Sequence, residues 1–219
     1  MAYFDNAATT FPKPDSVYEF MSEFYKNSGA NAGRGNYSMA KSAGALLKDT
    51  RKRIQELFHC PAKQVVFTPT ATIALNIIIQ GLIKKGLKNI YISPLEHNAV
   101  TRTLHYYEQS GAIKVVQLHV QKDLSYDLPR IRYQFDDVKP DAVIVSHASN
   151  VIGLVAPVEE VFAIAKDYDA ITVADMSQTA GLVDTNVGLN TFDFAVFAGH
   201  KTMYGPTGIS GFVMNPEIV

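Results

Sequence analysis

The sequence predicts an α/β protein built on an open sheet of seven strands flanked by helices. Two observations carry that expectation. Short β-rich runs alternate with helix-period segments along the 219-residue chain, the pattern of parallel strands joined by right-handed crossovers. A composition that is 47% apolar supplies the core of one large domain.

The runs that predict strands lie at 65–68, 89–93, 113–120, 142–149, 171–175, 192–198 and 208–214. Between them, 72–83 reads as a buried helix stopped near Gly86. Residues 98–110 carry Val100, Leu104 and Tyr107 on one face and stop at Gly111. Pro157 opens another helix, with Val158, Val161, Phe162 and Ala165 aligned. Upstream, Val17, Phe20, Met21 and Phe24 follow Pro14 at helical spacing until Gly29. A long helix at 38–58 is expected to turn Ala43, Leu46, Leu47, Ile54, Leu57 and Phe58 inward. Five residues follow the last run, too few for a covering helix, and the expectation is a chain that continues in a longer parent.

Twenty basic against twenty-one acidic side chains leave a formal charge of −1, with no basic stripe for a phosphodiester backbone, so nucleic acid is not an expected partner. No segment reaches the roughly 18 apolar residues of a membrane span, and the start MAYFDNAATT lacks the pattern of a secretory signal. No membrane partner and a cytoplasmic location are therefore expected. One cysteine, Cys60, excludes an internal disulfide, and the six histidines lack the spacing of a structural zinc site, so no metal is expected.

Ligands of open α/β sheets bind beyond the carboxyl ends of the strands. The run ending in Asp175, followed by Ser177 and Gln178, and the next run, ending in Ala198 before Gly199, His200 and Lys201, place an acid and a lysine on one rim. An ordinary loop acid and a solvated lysine would give the same spacing. The chemical alternative pairs an acid that keeps a pyridinium protonated with a lysine that forms a Schiff base with an aldehyde, and pyridoxal 5'-phosphate (PLP) offers both groups. Thr68-Pro69-Thr70-Ala71-Thr72 joins a strand to a helix and suits either an N-cap or a phosphate at the positive helix end. His97, in Glu96-His97-Asn98, is either a cap or an imidazole stacked on a planar ring. Asn150 either closes an Asx-turn or hydrogen-bonds a cofactor oxygen.

The stretches YFDNAATTFPKP, EHNAV, VSHASNVIGLVAPVEEV, ADMSQTAG and FAGHKTMYGPTGISGF, in this order along the chain, resemble the motifs of cysteine desulfurases and their class V aminotransferase relatives. The resemblance implies a fold-type I PLP-dependent large domain: a seven-stranded, mostly parallel sheet whose last strand is antiparallel. It places residues 1–30 with the family's small domain and 31–219 in the PLP-binding large domain, the C-terminal small domain lying outside this chain. It implies Lys201 as the cofactor-bearing catalytic lysine, Asp175 as partner of the pyridine nitrogen and Gln178 and Asn150 near the phenolic oxygen. His97 becomes the stacking histidine with a catalytic part, and Ala71, Thr72 and His200 hold the phosphate. The implied activity converts L-cysteine to L-alanine and an enzyme-bound persulfide, in a homodimeric parent that passes sulfur to an acceptor protein. A selenocysteine lyase, another class V aminotransferase, and a silent fragment that binds only PLP or a partner are the alternatives.

The chain departs from the family in two respects. Ala198 stands where the family commonly has a phosphate-binding serine, and the persulfide cysteine and carboxylate-binding arginine lie beyond the residues present. Cys60, between an early helix and the first strand, reads as a small semi-buried residue and not as a replacement.

Overall fold

A computed structural model describes residues 2–218. Seven strands form one sheet: β1 (Gln64–Thr68), β2 (Asn89–Ile92), β3 (Lys114–Gln117), β4 (Ala142–Ser146), β5 (Ile171–Asp175), β6 (Phe194–Ala198) and β7 (Ser210–Met214). Their order is β1-β7-β6-β5-β4-β2-β3. The pairs among β3, β2, β4, β5 and β6 are parallel, whereas β7 runs antiparallel to both β6 and β1. All seven expected strands are present, and the last in sequence is the antiparallel one.

Among the described residues six α-helices accompany them: α1 (Asp15–Ser28), α2 (Ser38–Leu57), α3 (Ala71–Lys84), α4 (Asn98–Gln109), α5 (Leu128–Asp137) and α6 (Val158–Lys166). Alternation along the strands divides the core into two layers. On one face Val173, Val196 and Phe212 meet Ala74, Leu75 and Ile78 of α3 and Val100 and Leu104 of α4. On the other, Ala174, Phe197 and Val213 meet Ile131 and Phe135 of α5, Val161 and Phe162 of α6, and Ile54 and Phe58. Gly86 and Gly111 have φ of 98° and 73°, which ends α3 and α4 where a side chain would be strained.

Some expectations require correction. Strands 113–120 and 142–149 are shorter than expected, because Leu118 is the last hydrogen-bonded residue beside β2 and His147–Ser149 leave the sheet for a turn closed by Ala148 and Val155. Helix 72–83 is not buried all round: only one stripe meets the sheet, and Ile73 and Ile77 are exposed. In α2, Leu47 and Leu57 are exposed and Leu46 half-buried, since the residues the helix buries are Ala40, Ala43 and Ile54, with Phe58 at its end. No residue of α1 is buried, and Phe20 faces outward. Helix α5 was not anticipated, although Asp127 caps it by accepting from Arg130 N at 3.0 Å and Pro129 occupies its first turn.

Among the described residues no helix is long and apolar enough to cross a membrane, and no cluster of His, Cys, Asp or Glu could hold a metal ion.

Candidate active site

The carboxyl ends of β1, β4, β5 and β6 open onto a cavity of about 210 Å³. Every expected site residue lines it: Ala71, Thr72, His97, Asn150, Asp175, Gln178, His200 and Lys201. The register explains the floor. Ser146 and Asp175 are partners at the ends of β4 and β5, while Asp175 pairs with Val196 of β6, two residues before Ala198.

Asp175 is 5% exposed, and its Oδ1 accepts from Ser177 N at 3.0 Å and Ser177 Oγ at 2.5 Å. Both bonds are donated to the carboxyl and fix its orientation at the strand end. Lys201 lies on the turn after β6, half-buried. Burial lowers its ammonium pKa from the ordinary lysine range, and the charge of Asp175 opposes that shift. Among the described residues its Nζ has no hydrogen-bond partner, so a partly desolvated amine stands free beside an acid.

The turn bearing this lysine is strapped from the far end of the chain. Thr10 Oγ1 donates to Lys201 O at 2.7 Å, Thr10 N to His200 O at 3.2 Å, and Lys13 Nζ to His200 O at 3.0 Å. Thr9 Oγ1 donates to His200 O at 3.0 Å and so accepts from His200 Nδ1, also 3.0 Å away, which fixes the ring. Burial, then Lys201 and Lys13, lower the pKa of His200. Gln178 Nε2 donates to Ala7 O at 2.9 Å, a further tie to the same strap.

The alternatives left open at α3 and α4 are not exclusive. Thr70 caps α3, its Oγ1 accepting from Ile73 N at 3.1 Å, while Thr70, Ala71 and Thr72 border the cavity at the positive end of the helix. His97 caps α4 through Nδ1, which accepts from Ala99 N at 3.1 Å. The amide can only donate, so a neutral His97 carries its proton on Nε2. Asn150 makes no Asx-turn: Ser149 Oγ accepts from Val151 N at 3.3 Å instead, leaving the Asn150 amide at the cavity wall.

Sequence reasoning missed Glu96, Ser146, Ser177 and the strap. Glu96 adjoins the predicted His97, but its carboxyl is bonded to Ser146, fifty residues away. Cys60, expected to be semi-buried, is 1% exposed, and burial pushes its thiol up to about 11, with Lys63 opposing. It does not line the cavity.

An open α/β sheet with a lysine and an acid on adjacent strand ends, facing a helix N-terminus, is the arrangement of an α/β enzyme fold with its site at the carboxyl rim. The chain belongs to the class-V aminotransferase family, whose sequence pattern matches residues 2–218. It is 32% identical over 219 residues to a protein of Pyrococcus abyssi named "Probable cysteine desulfurase", covering 98% of this chain and 53% of that relative. The apo structure of a cysteine desulfurase from Thermococcus onnurineus superposes with a TM-score of 0.91 at 31% identity, covering 99% of this chain and 54% of that one. The structure of SspA in complex with cysteine superposes with a TM-score of 0.86 at 27% identity, over 97% and 60% of the two chains. The chain thus spans about half the length of the curated relatives it matches.

Proposed function

We propose that the chain is the cofactor-binding portion of a PLP-dependent, cysteine desulfurase-like enzyme acting on L-cysteine. The observation that carries this reading is the free, half-buried Lys201 amine on the strand end next to Asp175. The relatives' names and the cysteine-bound neighbour support the substrate.

The donor set fits PLP. A helix N-terminus with Thr72 exposed at it suits the phosphate, with His200 nearby. Ala198 offers no hydroxyl, but Ser210, its partner on β7, is fully buried with an unpartnered Oγ. Ser210 lies one strand over from the cavity wall and does not itself line the cavity. When bound, PLP supplies an electron sink that stabilises negative charge at the substrate Cα.

The rest falls to the chain. Lys201 would hold the cofactor covalently, and its lowered pKa favours the neutral amine that would take a proton from Cα. Asp175, fixed by Ser177, stabilises positive charge on the ring nitrogen. His97, on the α4 side with Nε2–H available to donate, would lie against the ring, and Gln178 and Asn150 would serve the ring oxygen. In the complete protein, residues outside this chain complete sulfur transfer. Residues 1–30 belong with a small domain, a homodimer is the assembly, a sulfur-acceptor protein is the partner and the cytoplasm is the location in this reading.

The test is a visible spectrum of the chain with added PLP, followed by borohydride reduction and peptide mapping. A visible band with the pyridoxyl label on Lys201 is expected. Label scattered over surface lysines would overturn the assignment.

A further inference from the structure

Glu96 is a half-buried acid that this chemistry leaves without a role. It lies between β2 and α4, and its carboxyl crosses to the end of β4: Oε1 lies 2.5 Å from Ser146 N and Oε2 2.8 Å from Ser146 Oγ. Ser146 borders the cavity, in register with Asp175. The groups facing Glu96 are Ser146 from β4, Asp175 from β5, Ser93 after β2, and Tyr126 from the segment bridged to Val120. The Tyr126 hydroxyl is buried without a hydrogen-bond partner.

The amide of Ser146 can only donate, so Oε1 must accept. A proton on this carboxyl therefore belongs on Oε2, facing Ser146 Oγ. With it, Oε2–H can donate to Oγ, which leaves the Ser146 hydroxyl free to direct its own hydrogen to the cavity. Without it, Ser146 Oγ–H donates to Oε2 and the hydroxyl is turned away from the cavity.

We propose that Glu96 is a positioning residue for the site: bearing a proton, it turns the Ser146 hydroxyl toward the cavity as a hydrogen-bond donor beside Asp175. The proposal rests on the cofactor reading only for what the donor meets, an acceptor atom of bound PLP or substrate. Removal from water pushes the Glu96 carboxyl up to about 8; Asp175 adds to the shift and the bonds from Ser146 oppose it. The donor is thus present at neutral pH and lost as pH rises through that value.

The experiment is infrared difference spectroscopy of the PLP-free chain between about pH 6 and pH 10. The expected result is a carbonyl band of a protonated carboxyl that disappears with a midpoint near 8, is missing from E96Q, and moves to higher wavenumber in S146A, where Oε2–H loses its acceptor. The absence of such a band, or its persistence in E96Q, overturns the proposal whether or not PLP binds. In the PLP-loaded protein, S146A should weaken PLP retention by up to about tenfold, while E96Q should remove the part of the visible band's pH dependence centred near 8. Equal retention and an unchanged pH profile in both variants would overturn the link to the site. A titrating band in a chain that fails to bind PLP at Lys201 would support the Glu96–Ser146 couple and sink the cofactor reading instead.

Discussion

The two rims of the sheet treat charge in opposite ways. At the rim where β1 and β6 begin, Lys63 is buried and donates to three backbone carbonyls, Val187 O, Leu189 O and Phe192 O, at 2.5, 2.9 and 2.5 Å. Asp193 is met there by Lys166 Nζ and by Thr172 N at 2.8 Å. At the opposite rim, Lys201 has no hydrogen-bond partner among the described residues, Glu96 is held in an environment that favours its neutral form, and Ser210 Oγ is orphaned. Both lysines are shifted below the ordinary range by burial. What separates them is satisfaction: a desolvated charge whose donors are all used holds structure together, and one left free is available for chemistry.

The sharpest way to break the comparison is to exchange the fates of the two lysines. Lys201→Met should abolish specific pyridoxyl labelling while leaving the melting transition intact or higher. Its pH dependence has a definite sign. The folded chain gives up the Lys201 proton more readily than the unfolded chain, so below the ordinary lysine range this residue costs stability, and the cost fades as pH rises toward 10.5. Lys201→Met should therefore gain most at neutral pH and converge with the unmodified chain in alkali, as urea titrations at several pH values would show. A variant melting well below the parent at pH 7 would place Lys201 among the structural groups.

Lys63→Met should do the reverse. Three carbonyls lose a charged donor in a buried place, and the expected cost is about 3 kcal/mol in urea unfolding. Labelling of Lys201 in the fraction that remains folded should persist. Loss of labelling without loss of stability would show that the rims are coupled.

How much of this was legible in the sequence follows the same division. Asp175 and Lys201 could be found because each ends an apolar run, and strand ends on one rim converge whatever the details of packing. The strap could not be found that way: Thr9 and Thr10 meet His200 and Lys201 across 191 residues, and nothing local to YFDNAATT indicates that its hydroxyls hold a turn so far along the chain. Lys63 is equally illegible, because its three acceptors are backbone carbonyls, which no side-chain pattern reports. Leu47 and Leu57 misled for a related reason. Helical spacing shows that a residue shares a face, whereas the breadth of the face that meets the sheet is set by neighbours distant in sequence. The strap also yields an intermediate prediction: Thr10→Val removes a 2.7 Å bond to Lys201 O and should cost about 1 kcal/mol, with slower specific labelling of Lys201 as the readout.

The smallest expected effect lies where the two kinds of polar group meet. Ala198, at the end of β6, is paired with Ser210 on β7, and Ser210 in turn with Thr68 on β1, so the three side chains share the face under the N-terminus of α3. Ala198 borders the cavity and Ser210 is fully buried. Ala198→Ser would place a hydroxyl at the cavity wall itself and should tighten PLP retention by no more than about 1 kcal/mol, or a few-fold in a dissociation constant measured by absorption. Ser210→Ala should weaken retention if its orphaned hydroxyl serves the phosphate side of the site, and should leave retention unchanged while stabilising the fold if that hydroxyl is merely unsatisfied. Because both substitutions change one hydroxyl on neighbouring strands, their combination measures whether the second donor replaces the first. Near-additive effects would mean independent contacts, and a gain from Ala198→Ser that grows once Ser210 is removed would mean that the two hydroxyls serve one acceptor.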